Sequence, residues 1–279
     1  MKRIAEVDGL NKKAPLISAA ILLIIISGCF FSDLFIPYDP QGINLSEINI
    51  APGKNHIFGT DTLGRDVFSM IWHGGRKSLF IGFFATAVST VIAVIYGCIS
   101  GLVREKADNV LMRITDILMS IPQILMVIFV QAVFGEPDII SISMVIALTG
   151  WMNISKMVRT EVRQVRNSDY VLAARTMGGS FFYILWNHLR PNFTSAIMFM
   201  SVSNIAGAIS MEATLSFLGI GLPTSEVSWG TLMSLSQKAM LSGNWWILVI
   251  PGFFLISTII SVTEVGEYLK NRSRNESYL

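Results

Sequence analysis

The sequence predicts an all-α membrane protein that crosses a bilayer six times. Three observations carry this. Of its 279 residues 52% are hydrophobic and only 14% are charged, against about 25% charged in a soluble domain. Mean hydropathy is +0.57, high for a chain that must keep a wetted surface. Finally, six apolar runs reach the roughly 20 helical residues that a hydrocarbon core about 30 Å thick requires.

Those runs are 15–34, 79–102, 110–134, 139–158, 193–215 and 245–265. The first is preceded by Lys2, Arg3, Lys12 and Lys13 but not followed by a small-residue cleavage site, so it reads as an uncleaved first span. The third and sixth contain Pro122 and Pro251, tolerated in a span when neighbours satisfy the freed carbonyls. With a cytoplasmic N-terminus, sixteen of the 21 basic residues fall inside: the first four, then Arg104, Lys106 and Arg113, then Lys156, Arg159, Arg163, Arg166, Arg175 and Arg190, then Lys270, Arg272 and Arg274. Lys54, Arg65, Arg76, Lys77 and Lys238 are left outside. That asymmetry places both termini in the cytoplasm. Trp229, Trp245 and Trp246 then fall near the outer interface, where indoles favour the headgroup region.

The expected organisation is a cytoplasmic N-terminus (1–14), a first helix (15–34), an extracytoplasmic segment (35–78), a core of five helices (79–270) with a cytoplasmic loop at 156–192, and a cytoplasmic tail (271–279). A further outer segment, 216–244, is rich in Gly and Ser with few charges and is expected to dip into the membrane. Net charge is only +2, so nothing points to a nucleic-acid partner. Cys29 and Cys98 lie in apolar runs and read as small buried hydrophobes rather than a disulfide framework. His56, His73 and His188 lack metal-ligand spacing, so no metal site is expected. No Ser/His/Asp or Cys/His arrangement marks a catalytic centre. Gly74-Gly75-Arg76-Lys77-Ser78 lacks the order of a phosphate loop and falls on the outer side. If ATP drives this system, another chain binds it.

Function shows in the inner loop. Val158, Val162 and Val165 recur at helical spacing, while Arg159, Arg163 and Arg166 occupy another face. The fourth span is therefore expected to continue as an amphipathic rod; the blander reading is membrane anchoring by positive charge. Next, Ser168 or Asp169 can cap a short helix containing Tyr170. Ala173 and Ala174, followed by Arg175, allow another surface to approach closely. Gly178, with Gly179 beside it, can end the helix in a left-handed conformation. A second apolar helix starts at Phe181 and is closed by Pro191. A small sideways helix of this kind suits docking into a groove on a soluble partner.

From Ala173 to Pro191 the chain resembles the EAA motif of bacterial ATP-binding-cassette importer permeases. Ala173-Ala174, Gly178 and Pro191 keep its spacing; Leu172, His188 and Arg190 depart from it at its Glu, Ile and Leu positions. His188 is the usual residue of the peptide/nickel branch. Gly59-Thr60-Asp61 with Gly64-Arg65-Asp66 resembles that branch's outer signature, Arg113-Ile114-Thr115-Asp116 with Pro122 its third-span pattern, and Leu215 to Gly221 with Ser228-Trp229-Gly230 its long outer segment. Gly266 to Lys270 resembles its closing motif. The likeness runs from about residue 37 to 270 and is closest to the second of the two permease subunits of dipeptide, oligopeptide and nickel importers.

The resemblance implies a type I importer permease fold and a bacterial cytoplasmic-membrane location. It implies four kinds of company: a homologous permease subunit, two ATPase subunits holding ATP and Mg, an extracytoplasmic solute-binding protein, and the bilayer. It also implies that 169–179 docks the ATPases. The cargo would be peptide, or else nickel or a metal chelate. Residue by residue, 59–66 reads either as a turn, with Arg65 pairing Asp61 or Asp66, or as an ordered element at the outer face. Asp116, Pro122, Glu212 and Trp229 are candidates for a passage or gate. Glu212 is an intramembrane acid, yet its place beside the polar outer segment favours an interfacial or water-exposed position. The rival class is a self-sufficient secondary transporter or channel, which would show inverted repeats and paired intramembrane charges.

Overall fold

The computed structural model describes residues 15–166, 190–241 and 243–276. Among these the regular elements are helical, and one isolated bridge joins Thr60 to Asp66. The nine α-helices are α1 (Leu16–Phe30), α2 (Val67–Leu102), α3 (Glu105–Met119), α4 (Gln123–Phe134), α5 (Ile139–Gly150), α6 (Met152–Arg166), α7 (Arg190–Phe217), α8 (Trp229–Leu241) and α9 (Trp246–Glu276).

Helix α1 is apolar on every side and ends where Arg76 from α2 takes its last carbonyls. The guanidinium donates to the carbonyls of Cys29 (2.6 Å) and Phe30 (2.8 Å) and pairs with Asp33 (2.7 Å). These are the acceptors a helix C-terminus leaves unpaired, and a cation suits the negative end of the dipole.

Helix α2 begins at Val67, not at Leu79 as expected. The Asp66 carboxylate caps it, accepting the Ser69 N–H at 2.8 Å. Gly74 and Gly75, which fall in the expected extracytoplasmic segment 35–78, are buried helical residues. Gly75 brings α2 against Cys29 and Trp229, where an added Cβ would clash with both. At 36 residues α2 is about 54 Å long at 1.5 Å per residue, so it overshoots the hydrocarbon core. Its far end is closed by Arg166, whose Nη1 donates to the carbonyls of Gly101, Leu102 and Val103.

Two expected spans are broken. The run 110–134 falls in α3 and α4, bent by 92°, and the run 139–158 in α5 and α6, bent by 43°. Pro122 causes the first break: it lacks an N–H and drives Ile121 out of the helical region. By length and composition two helices can cross a membrane alone, and up to four if each bent pair is one span; α1 is a shorter apolar helix. These spans are counted among the described residues.

Between membrane helices lipid removes the gain from expelling water, so association rests on close packing and hydrogen bonds. Gly97 and Gly101 let α6 ride directly on α2, with Val158 and Val162 fully buried in the seam. The expected valine face of α6 is therefore spent on the bundle. Gly82 does the same for α7, against Ile209, and Thr90 meets Ser201 at 3.0 Å between the same two helices. The outward face of α4 (Phe129, Val133) and much of α1 (Leu16, Ile17, Leu23) are exposed, as expected of surfaces in contact with lipid or a membrane partner. The bundle has a loop end, carrying 35–66, and a turn end, where α2 meets α3.

Candidate functional site

A cavity of about 350 Å³ opens where both bent pairs break. The α3–α4 break contributes Met119, Ile121, Pro122, Gln123 and Met126. The α5–α6 break contributes Thr149, Gly150, Met152, Asn153 and Ile154, and α7 supplies Met200, Ser203, Asn204 and Gly207. No lining residue is charged. Four methionines give adaptable, polarisable walls, and amides and hydroxyls give hydrogen-bonding groups. Asn204 is held by donating from Nδ2 to Ser89 Oγ at 2.8 Å. Gly207 faces open space, with nothing within 4 Å of where a Cβ would stand. Toward the loop end the same face of α7 continues with exposed Ser210 and Thr214. A small, polar stripe on a membrane helix is unlike the Phe and Val that face outward on α4. Irregular backbone at membrane depth is tolerated where it lines a cavity.

Pro122 is thus the one sequence-named passage candidate that reaches this cavity. Asp116 pairs with Lys156 on an exposed surface (61% exposed). Glu212 is corrected. It is fully buried rather than interfacial, because α7, α2 and the 216–228 segment close over it. Ser228 donates to Oε1 at 2.8 Å, Ser216 to Oε1 at 3.1 Å and Ser78 to Oε2 at 3.2 Å, and the backbone of Gly230 adds a further bond. Ser228 and Thr231 cap α8 reciprocally (Thr231 N–H to Ser228 Oγ 3.0 Å; Ser228 N–H to Thr231 Oγ1 2.8 Å). The carboxylate therefore sits at the positive N-terminal end of α8. Trp229 is corrected too. Its indole does not rest in headgroups but donates to the Ile71 carbonyl at 3.0 Å, fully buried. Trp246 similarly donates to the Thr60 carbonyl at 3.1 Å, while Trp245 stays exposed.

The signature 59–66 forms one knot beside these groups. Arg65 pairs with Asp61, the first of the two options the sequence offered (Nε 2.8 Å and Nη2 2.7 Å to Oδ2). Asp61 Oδ1 also accepts the N–H groups of Leu63 and Arg65, each at 2.8 Å. Asp66 Oδ1 lies 2.8 Å from His56 Nδ1 while Oδ2 caps α2. Gly59 and Gly64 both have φ of +74°, the left-handed region that favours glycine. At Gly64 the Asn44 carbonyl leaves no room for a Cβ. Thr60 accepts the Ile50 N–H at 2.8 Å. The knot is an ordered element that seats α2 and α9.

At the turn end another buried carboxylate, missed in the sequence, joins three helices. Asp108 of α3 receives Ser100 of α2 (2.6 Å) and, from α6, the two-pronged guanidinium of Arg159 (Nε to Oδ1 3.0 Å, Nη2 to Oδ2) and Arg163 (3.2 Å). Paired guanidinium–carboxylate forks are among the strong hydrogen bonds; here the carboxylate is fully buried while the two guanidinium groups remain partly exposed. Asp169, Tyr170, Ala173, Ala174, Arg175, Gly178 and Gly179 lie outside the described residues; Pro191 falls in the first turn of α7. No group of three or more potential metal ligands occurs among the described residues.

Helices that break around an uncharged cavity within an apolar-surfaced bundle fit a membrane transport component. The chain belongs to the family described as the binding-protein-dependent transport system inner membrane component, which it matches over residues 89–275. It is 37% identical over 261 residues to the oligopeptide transport system permease protein OppC of Bacillus subtilis (94% of this chain, 85% of the relative). It is 35% identical over 261 residues to the dipeptide permease protein DppC of the same organism (94% and 81%), and 30% identical over 269 residues to the probable D,D-dipeptide permease protein DdpC of Escherichia coli (96% and 90%). Its fold is similar to that of the inward-facing MetNI methionine ABC transporter, with a TM-score of 0.61 and 16% identity over 73% of this chain and 96% of that chain. This protein is a multi-pass membrane permease subunit of an ATP-binding-cassette transport system.

Proposed function

We propose that this chain forms, with a homologous permease subunit, the passage of a peptide importer. The observation that carries this reading is the cavity at the two helix breaks. Its uncharged methionine and amide lining can accept a peptide backbone without selecting a side-chain charge, and the polar stripe on α7 extends it toward the loop end. On this reading the loop end is extracytoplasmic and receives cargo from a solute-binding protein. Both termini and 156–192 are cytoplasmic. ATP and Mg are bound by two separate ATPase subunits that dock at 169–179.

Purification of the tagged chain from its native membrane tests the assembly. Recovery of a second multi-span protein and soluble ATPases, with the ATPases lost in the Ala173→Arg/Gly178→Arg variant, is the expected result. A lone chain that moves solute unaided would overturn the reading in favour of a secondary transporter.

A further inference from the structure

Helices α3 and α6 each run between the turn end and the cavity. The cavity end of α3 supplies Met119 and leads to Pro122, and that of α6 supplies Met152, Asn153 and Ile154. The two are attached to the bundle in different ways. Helix α6 rides on α2 through a continuous apolar seam (Ile154, Val158, Val162). Helix α3 has no such seam: its only buried residues are Asp108 and Thr115. Polar ties hold it instead. Tyr96 of α2 donates to the Leu111 carbonyl at 2.7 Å and accepts from Thr115 at 3.2 Å, Ser100 of α2 donates to Asp108 at 2.6 Å, Asp116 meets Lys156 at the exposed surface, and Asp108, itself fully buried, pairs with the partly exposed guanidinium groups of Arg159 and Arg163. Arg159 and Arg163 sit on the last two turns of α6, whose final described residue, Arg166, immediately precedes the segment holding 169–179.

We propose that Asp108 is a positioning residue that locks α3 to α6, so that movement arriving through α6 carries both walls of the cavity together. The inference rests on the importer reading. A displacement of α6 pulls on Asp108 through Arg159 and Arg163, against the ties that Tyr96 and Ser100 make from α2, and α3 follows the charged pairs. Its cavity end, at Met119 and Pro122, then moves with that of α6, and the gap at the double break changes shape as a unit. Without Asp108, α6 still moves on α2 but α3 is left behind.

Spin-label distances in the purified complex test this. Buried Cys29 and Cys98 are first replaced by alanine. Labels are then placed at Met119→Cys with Ser203→Cys to report α3 against α7, and at Thr160→Cys with Ser203→Cys to report α6 against α7. Each pair is measured nucleotide-free and with ATP plus vanadate. Both distances are expected to shift in the parent complex. In Asp108→Asn the α6 shift persists and the α3 shift is lost or broadened. A merely stabilising role would weaken both shifts alike, and an α3 shift unchanged in Asp108→Asn would overturn the proposal. Should that variant fail to assemble, Asp108→Glu and Arg159→Lys, which keep the charges but break the fork, carry the same test with the same outcomes. If the parent complex shifts at neither pair, the importer reading itself fails.

Discussion

Glu212 near the loop end and Asp108 at the turn end are both fully buried carboxylates, yet opposite chemistry satisfies them. Glu212 is met by three serine hydroxyls and the N-terminus of α8, all neutral groups on short tethers. Asp108 is met by two guanidinium groups on long side chains from one helix and by one hydroxyl, Ser100, from α2. The first arrangement fixes geometry: hydroxyls and peptide dipoles act at short range and tolerate little displacement. The second transmits force, since a two-pronged ion pair holds while its long side chains follow a moving helix. The loop end is built as a seat and the turn end as a joint.

Neutral isosteres break this comparison most sharply. Asp108→Asn loses the charge-assisted fork but leaves cations that reach solvent, so about 2 kcal/mol is expected. Glu212→Gln keeps the shape and can reorient its hydroxyl partners, so about 1 kcal/mol is expected. Thermal unfolding of the purified variants in detergent checks the order; equal losses would remove the distinction. Glycines provide the next contrast. Gly97→Ala drives a methyl into Val158 and the Ser155 carbonyl and should cost about 2 kcal/mol as α2 and α6 separate. Gly207→Ala enters empty space and should leave the midpoint unchanged, whereas Gly207→Trp should obstruct uptake of a labelled dipeptide in reconstituted complexes without lowering stability. Trp229→Phe loses both the bond to the Ile71 carbonyl and the ring atoms packed against Gly75, and should cost about 2 kcal/mol in the same unfolding assay.

The helical class and the apolar runs were legible because bilayer thickness writes itself into run length. The breaks were not. Pro122 sat in a run apolar enough to span, and tolerance of proline in membrane helices argued for continuity where the chain turns by 92°. The start of α2 was hidden by Gly74-Gly75-Arg76-Lys77. These residues fall in the expected outer segment, and only the Cys29, Trp229 and α1 carbonyl contacts show why glycine and arginine belong in a helix there. Helix α8 was masked by its serines, Gln237 and Lys238. At the sites, the 59–66 knot was visible as a signature and Arg65 pairs with one of its two expected acids. Lys156 as the partner of Asp116, 40 residues away, was beyond local pattern. So were the serines around Glu212, drawn from three segments. Asp108 offered one signal that could have been read: an acid at the head of α3 facing an inner segment with an arginine at every third or fourth position.

Both ends of α2 are closed by side chains from elsewhere: Asp66 from the knot at one end, Arg166 from α6 at the other. A helix so terminated has no loose turn in which to dissipate a twist. Over about 54 Å it acts as a drive shaft, so a rotation imposed at one leaflet is delivered at the other with its phase intact.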